Sequence, residues 1–313
     1  MTDSFVQYCC MHLNPERLLI LQAVDDAGGV LAAGRRLHLA PSGISQHIAA
    51  LERETGLVLL DRSRRGGQRP AQLTAAGRLL VTHAARLANL IAEAETDIQA
   101  LAGQVDGPIV LAAFPTVIAR LVVPALVELA DTNRGITPMV REIDEQAAVA
   151  ALHAGDVDLV LVEDDIAHPR TPDPGCAMRW LMDDPYRVAI PTSWTTPISL
   201  EDLCERPWVD GPSGSAISQA LDRLRNAAGL SLPAAHICLE YPAALALVAG
   251  GMAAALVPDL ALTYPLPAHV RIVNLADLGA RRISSLYRTR RDQPAPVVTA
   301  LLDALTTAAY PST

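Results

Sequence analysis

The sequence has no lysine: its 25 cationic side chains are all arginine, set against 34 acids for a formal net charge of −9. Taken as one object, such a chain is a poor partner for nucleic acid. The arginines are unevenly placed, however. Val30 to Thr74 holds seven Arg and three acids, so the acidic excess lies downstream. Asymmetry between parts of a chain says more about partners than its overall balance.

Other absences narrow the chemistry. The five cysteines (Cys9, Cys10, Cys176, Cys204, Cys238) are odd in number and show no C-x-x-C spacing, which excludes a disulfide framework and a zinc ribbon. No apolar run reaches 18 residues, so no membrane span is expected, and no secretory signal is seen. The compartment expected is the cytoplasm. The eight histidines fall in neither H-E-x-x-H nor H-x-x-E-H spacing, and no Walker or dinucleotide fingerprint occurs. Gly211-Pro212-Ser213-Gly214 is not a G-x-S-x-G elbow. No catalytic residue, metal site or cofactor is therefore expected. Internal repeats and low-complexity tracts are also missing.

With half its 313 residues hydrophobic and 19% charged, the chain can bury the cores of two or three domains. Residues 1–10 match no pattern that follows and are expected to be a disordered leader, with Met11 an alternative start. Pro15 to Ala27 is an amphipathic helix ended by Gly28-Gly29. A short helix over Val30 to Leu39 carries Arg35 and Arg36. Pro41 opens a third helix whose apolar face is Ile44, Ile48 and Leu51, spaced i, i+4, i+7. Helix, tight turn and helix with a small polar leading edge form a helix-turn-helix pattern. Val58 to Arg62 reads as a strand, and the loop to Gln72 holds Arg64, Arg65 and Arg69. Strand, basic loop and strand beside such a pattern read as a wing. The domain is expected over residues 11–74.

Residues 75–103 follow as one long helix. Leu80, Ala84, Leu87, Ile91, Ala94, Ile98 and Leu101 alternate in steps of four and three, the a/d seam of a dimerising coiled coil. A core helix of a globular domain is the other reading. From Ile109 onward strands and helices alternate, which predicts an α/β domain. Its helices are expected over Thr116–Ala130, Gln146–Ala154, Ala216–Ala228, Ala243–Gly250 and Pro296–Ala309. Strands are expected over Ile109–Ala113, Met139–Ile143, Val157–Val162, Tyr186–Ile190, His236–Glu240, Ala253–Val257, Val270–Val273 and Ile283–Tyr287.

The run from Ala33 to Glu52 resembles the helix-turn-helix of LysR-type transcriptional regulators. Gly56 to Arg62 and Leu73-Thr74-x-Ala76-Gly77 resemble that family's wing and the start of its linker helix. Gly107 to Leu111, Asp156 to Val160 and Leu247 to Met252 resemble further signposts, so the likeness covers almost the whole chain. It implies a winged helix-turn-helix domain, mainly α, a long linker helix, and an effector domain of two Rossmann-like subdomains resembling type 2 periplasmic binding proteins. Subdomain I would hold residues 107–163 and 267–313, and subdomain II residues 164–266, with crossovers near 163–166 and 262–267. The resemblance also implies an operator in double-stranded DNA, a small-molecule effector of anionic or aromatic type, homodimers through the linker helix paired into homotetramers, and contact with RNA polymerase.

Carried onto this sequence, Pro41, Ser42, Ser45 and Gln46 face the DNA, and Gln46 suits a bidentate contact with adenine. Arg35, Arg36, Arg62, Arg64, Arg65 and Arg69 suit phosphates or the minor groove. Ala40 departs from the usual Ser or Thr cap, and Leu31 and Ala32 replace Thr and a basic residue. The longer Arg-rich wing is expected to compensate. In the effector domain Phe114, Thr116, Ser213, Ser215 and Tyr241 are the binding candidates, with Ser213 and Ser215 equally suited to capping a helix. A solute-binding protein would share the second domain but not the first. A thiol sensor would need paired cysteines, and Cys176, Cys204 and Cys238 lie far apart in sequence.

Overall fold

The computed structural model describes residues 13–61, 72–101, 105–195, 199–229, 231–262, 266–289 and 293–310. The chain divides into two compact units, 1–98 and 99–313. The expected leader, residues 1–10, lies outside the described residues.

In the first unit α1 (Pro15–Asp26), α2 (Val30–Arg36) and α3 (Pro41–Thr55) enclose a core that includes Leu21, Val24, Ala33, Ile44, Ile48 and Leu51. Asn14 caps α1 by accepting the Glu16 N–H at 2.9 Å. The second helix ends at Arg36, three residues before the expected Leu39. Its turn passes through His38 in left-handed conformation (φ 54°), and a Cβ on Gly34 would lie 2.8 Å from the Leu39 carbonyl oxygen. Only glycine lets the chain fold back so closely. Ala40 stands at the N-cap of α3 in extended backbone with no side-chain cap bond.

The wing strands β1 (Leu60–Asp61) and β2 (Gln72–Leu73) pair antiparallel, Leu60 opposite Leu73. Of the expected strand Val58–Arg62, Val58 and Leu59 stay outside β1 because other groups take their backbone, and Arg62 lies outside the described residues. The Glu52 carboxylate accepts the Leu59 N–H at 2.8 Å, and Thr74 Oγ1 donates to the Val58 carbonyl at 2.7 Å. Thr74 also accepts the Gly77 N–H at 3.0 Å and so caps α4 (Ala75–Leu101). A Cβ on Gly77 would sit 2.3 Å from the Leu59 carbonyl oxygen, so this glycine sets how closely α4 meets the wing.

The expected seam on α4 is divided. Ala84 is fully buried in the core of its own unit, with Leu80 packed against it. Ala84 is thus withdrawn from the dimerisation set, because its own chain already encloses it. Leu87 is half-buried, Ala94 is exposed, and Ile91 and Ile98 are 42% and 67% exposed. The Leu101 side chain lies outside the described residues.

The second unit is built on a nine-stranded mixed sheet flanked by helices. In chain order come β3 (Gly107–Ala113), α5 (Pro115–Val117), a π-helical turn (Ile118–Val122), α6 (Val123–Thr132), β4 (Ile136–Glu142), α7 (Glu145–Ala154), β5 (Leu159–Asp165) and β6 (Cys176–Pro191). Then follow β7 (Trp208–Asp210), α8 (Ala216–Ala228), β8 (Ala234–Ile237), α9 (Tyr241–Ala249), β9 (Ala254–Pro258), β10 (Val270–Val273), β11 (Ala280–Arg288) and α10 (Pro296–Ala309). The order is β4-β3-β5-β11-β6-β9-β7-β8, with β10 also on β6.

Two lobes share this sheet, and β6 belongs to both. Cys176 to Pro185 pair with β11, whereas Tyr186 to Pro191 pair with β9 and β10. The chain therefore passes to the second lobe at Pro185–Tyr186 and returns between Val273 and Ala280. These crossings lie later than 163–166 and 262–267, and the subdomain limits move with them. The first half of β6 was not expected as a strand because Arg179, Asp183 and Asp184 interrupt its apolar pattern. Glu240, the last residue of an expected strand, instead stands at the N-cap of α9, which opens at Tyr241. Pro242 favours a helix start there.

Candidate ligand cleft and nucleic-acid interface

On the first unit, Pro41, Ser42, Ser45 and Gln46 are all exposed at one end of α3. The opposite face, Ile44, Ile48 and Leu51, is fully buried, so the leading face is fixed by the core behind it. Ser45 Oγ donates to the Pro41 carbonyl at 2.9 Å, whereas the exposed Ser42 and Gln46, of small and long reach respectively, make no side-chain hydrogen bond among the described residues. Arg35 is exposed at the end of α2, and Arg36 lies 3.8 Å from Asp26 in a solvent-facing pair. Arg62, Arg64, Arg65 and Arg69 fall outside the described residues. Glu54 pairs with Arg17, tying α3 to α1.

In the second unit two adjoining cavities of about 470 and 320 Å³ open between the lobes and share Glu145, Glu163, Leu239, Glu240 and Tyr241. Phe114 and Thr116 line the smaller one, Ser213 and Ser215 the larger, and Tyr241 both. The five candidates, drawn from three separate chain segments, thus meet at one cleft. Their surroundings differ. Ser215 Oγ accepts the Ser218 N–H at 3.3 Å and caps α8, while Ser213 is exposed. Thr116 Oγ1 accepts from Arg281 at 2.9 Å.

Arg281 was not singled out from the sequence, yet it organises the cleft. Its side chain is fully buried and donates to Asp184, Glu163 and Thr116. Its guanidinium lies 5.3 Å from the Phe114 ring centroid and 5.6 Å from that of Tyr241, within cation–π range. Burial works against its charge, but Glu163, Tyr241 and Asp184 more than offset that and raise its pKa. The Tyr186 hydroxyl beside it is buried and has no hydrogen-bond partner among the described residues. Across the larger cavity Arg170 bridges Asp164 at 2.8 Å and Glu145 at 2.9 Å. Burial raises the pKa of Asp164, with Arg170 opposing. The only sequence trace of Arg281 was a paired Arg281-Arg282 at the head of an apolar strand; a buried arginine is rare enough that both would be placed at the surface.

No group of three or more His, Cys, Asp or Glu among the described residues is arranged to hold a metal ion. Cys176, Cys204 and Cys238 are free and half-buried. None of the described helices is long and apolar enough to cross a membrane.

Residues 15–78 match the bacterial regulatory helix-turn-helix protein model of the lysR family, and residues 102–309 match the LysR substrate binding domain. The chain belongs to the LysR family. A probable transcriptional regulator, LrrA of Synechococcus elongatus, is 28% identical over 305 residues, covering 94% of this chain and 96% of that one. The solved structure of full-length CbnR with its target DNA has a TM-score of 0.64 at 24% identity, covering 94% and 99%. A full-length variant of the regulator OxyR from Pseudomonas aeruginosa gives 0.67 at 18% identity, covering 94% and 98%; at these identities the two structures speak for the fold. This LysR-family chain is a DNA-binding transcriptional regulator with an effector-binding domain, and the solute-binding and thiol-sensing readings are not favoured.

Proposed function

We propose that a small molecule held between the lobes, against Phe114, Thr116, Ser213 and Tyr241, controls how the helix-turn-helix engages its operator. The observation that carries this reading is the convergence of segments 114–116, 213–215 and 241 on one connected cleft. On the DNA side Ser42 and Gln46 read base edges, and Arg35 contacts phosphate. The reader is a cytoplasmic homodimer joined along Leu87, Ile91, Ala94 and Ile98, with two dimers forming a tetramer that can touch RNA polymerase. No catalytic step is assigned.

The test is to sequence DNA fragments that the protein enriches from its own genome, then measure binding of the recovered fragment. Gln46→Ala lowers the affinity for that fragment by about 1–3 kcal/mol and leaves binding to unrelated DNA unchanged. Enrichment no better than that of the second unit alone would overturn the reading.

A further inference from the structure

The cleft carries more negative charge than its pairing requires. Seven carboxylates line the two cavities; Asp210 is paired with Arg225 just outside them, and the other six face only the guanidinium groups of Arg170 and Arg281. Each of these arginines is already shared between two acids, Arg170 by Glu145 and Asp164, Arg281 by Glu163 and Asp184. Glu142 and Glu240 make no ion pair among the described residues. They stand on opposite lobes, Glu142 at the end of β4 and Glu240 just before α9. Burial first, and then the Glu142 and Glu163 carboxylates, push the Glu240 pKa up, so the three acids feel one another across the gap. An anionic guest would add to this repulsion.

The aromatic lining of the smaller cavity points the same way. Its rings, Phe114 and Tyr241, already face a cation in Arg281. Among the described residues the acids are not grouped to hold a metal ion, so the guest they suit is a spread organic cation rather than a compact inorganic one.

Resting on the cleft reading above, we infer that the effector is an organic ammonium ion held in the cavity lined by Glu142 and Glu163 of one lobe and Glu240 of the other. Its charge relieves the repulsion between the lobes. Binding draws the lobes together. Of the anionic or aromatic effector that family resemblance implied, this reverses the anionic choice.

The full-length protein is titrated calorimetrically with a panel of 1,4-diaminobutane, 1,5-diaminopentane and tyramine, and in parallel with succinate, glutarate and benzoate. At least one amine binds at millimolar concentration or below and the carboxylates do not. Glu142→Gln and Glu240→Gln, both at exposed positions, each weaken that amine roughly fivefold or more without lowering thermal stability. Leu239→Trp, at the shared mouth of the cavities, blocks it. Failure of every amine, or an amine that binds equally well to both Gln variants, overturns the inference. If a carboxylate binds and Leu239→Trp abolishes it, the cleft reading stands and the ammonium class is wrong. If binding of either class ignores Leu239→Trp, the cleft reading itself fails.

Discussion

Asp184 and Arg281 face each other in the β6–β11 ladder, and their side chains meet at 2.8 Å with neither exposed to solvent. The pair sits beside Pro185–Tyr186, where β6 passes from one lobe to the other, and it reaches the cleft through Glu163 and Thr116. A second tie, Arg223 on α8 to Asp165 at the end of β5, joins the lobes at 3.1 Å.

Breaking a buried ion pair leaves the partner charge stranded, which typically costs about 3–5 kcal/mol. Arg281→Met is expected to destabilise the second unit by about that much, since Asp184 and Glu163 both lose their cation. Adding Asp184→Asn should recover part of the loss. Urea unfolding of the single and double variants gives the coupling; additive losses would show that the two side chains act independently.

Gly77 meets the Leu59 carbonyl where no Cβ fits. Gly77→Ala should therefore destabilise the helix-turn-helix unit by about 1–3 kcal/mol. The effect is read as a lower melting temperature together with weaker DNA binding. An unchanged melting temperature would mean that α4 and the wing can shift apart freely.

Ala40 has cap geometry without a cap side chain. Ala40→Ser is expected to stabilise α3 by about 1 kcal/mol, measured by thermal unfolding. No gain would mean that packing of α3 already fixes its first turn.

Ile91 and Ile98 present the exposed part of the α4 seam. If the proposed dimer forms along this face, Ile91→Glu with Ile98→Glu should give monomers in sedimentation equilibrium where the parent gives dimers, while each unit keeps its melting transition. Leu80→Ala should instead weaken the core of the first unit, because Leu80 packs into it.

The Glu240 pKa is raised from its ordinary value, first by burial and then by the Glu142 and Glu163 carboxylates. A carboxyl group whose pKa rises on folding favours the folded state at low pH and loses that contribution as pH rises through the raised value. Melting temperature measured through the acidic range should therefore fall less steeply with rising pH in Glu240→Gln than in the parent. Amine affinity should do the reverse in the parent, improving as Glu240 ionises. Identical melting profiles for the two proteins would remove Glu240 from the account.

Much of the layout was legible in the sequence because periodicity reports burial directly. Ile44, Ile48 and Leu51 marked the core face of α3, and α8 and α10 lie where their patterns placed them. The residues of the cleft were reachable through the turns that hold them, at Phe114, Ser213 and Tyr241. Two features were not. The first half of β6 hides its strand character behind Arg179, Asp183 and Asp184, whose charges are met by partners distant in sequence. Arg281 reads as a surface residue until β5 and β6 close on it from both sides. The acidity of the cleft was hidden for the same reason: Glu142, Glu163 and Glu240 are separated in the chain and become neighbours only when the lobes assemble.

The most direct test combines both units. The operator fragment recovered from the genome is footprinted and its affinity measured while the best-binding amine is titrated in, for the parent protein and for Glu240→Gln. The account predicts that the amine changes the footprint or the affinity in the parent, and that Glu240→Gln needs a higher amine concentration for the same change. A response that is absent in the parent, or identical in both proteins, would contradict it.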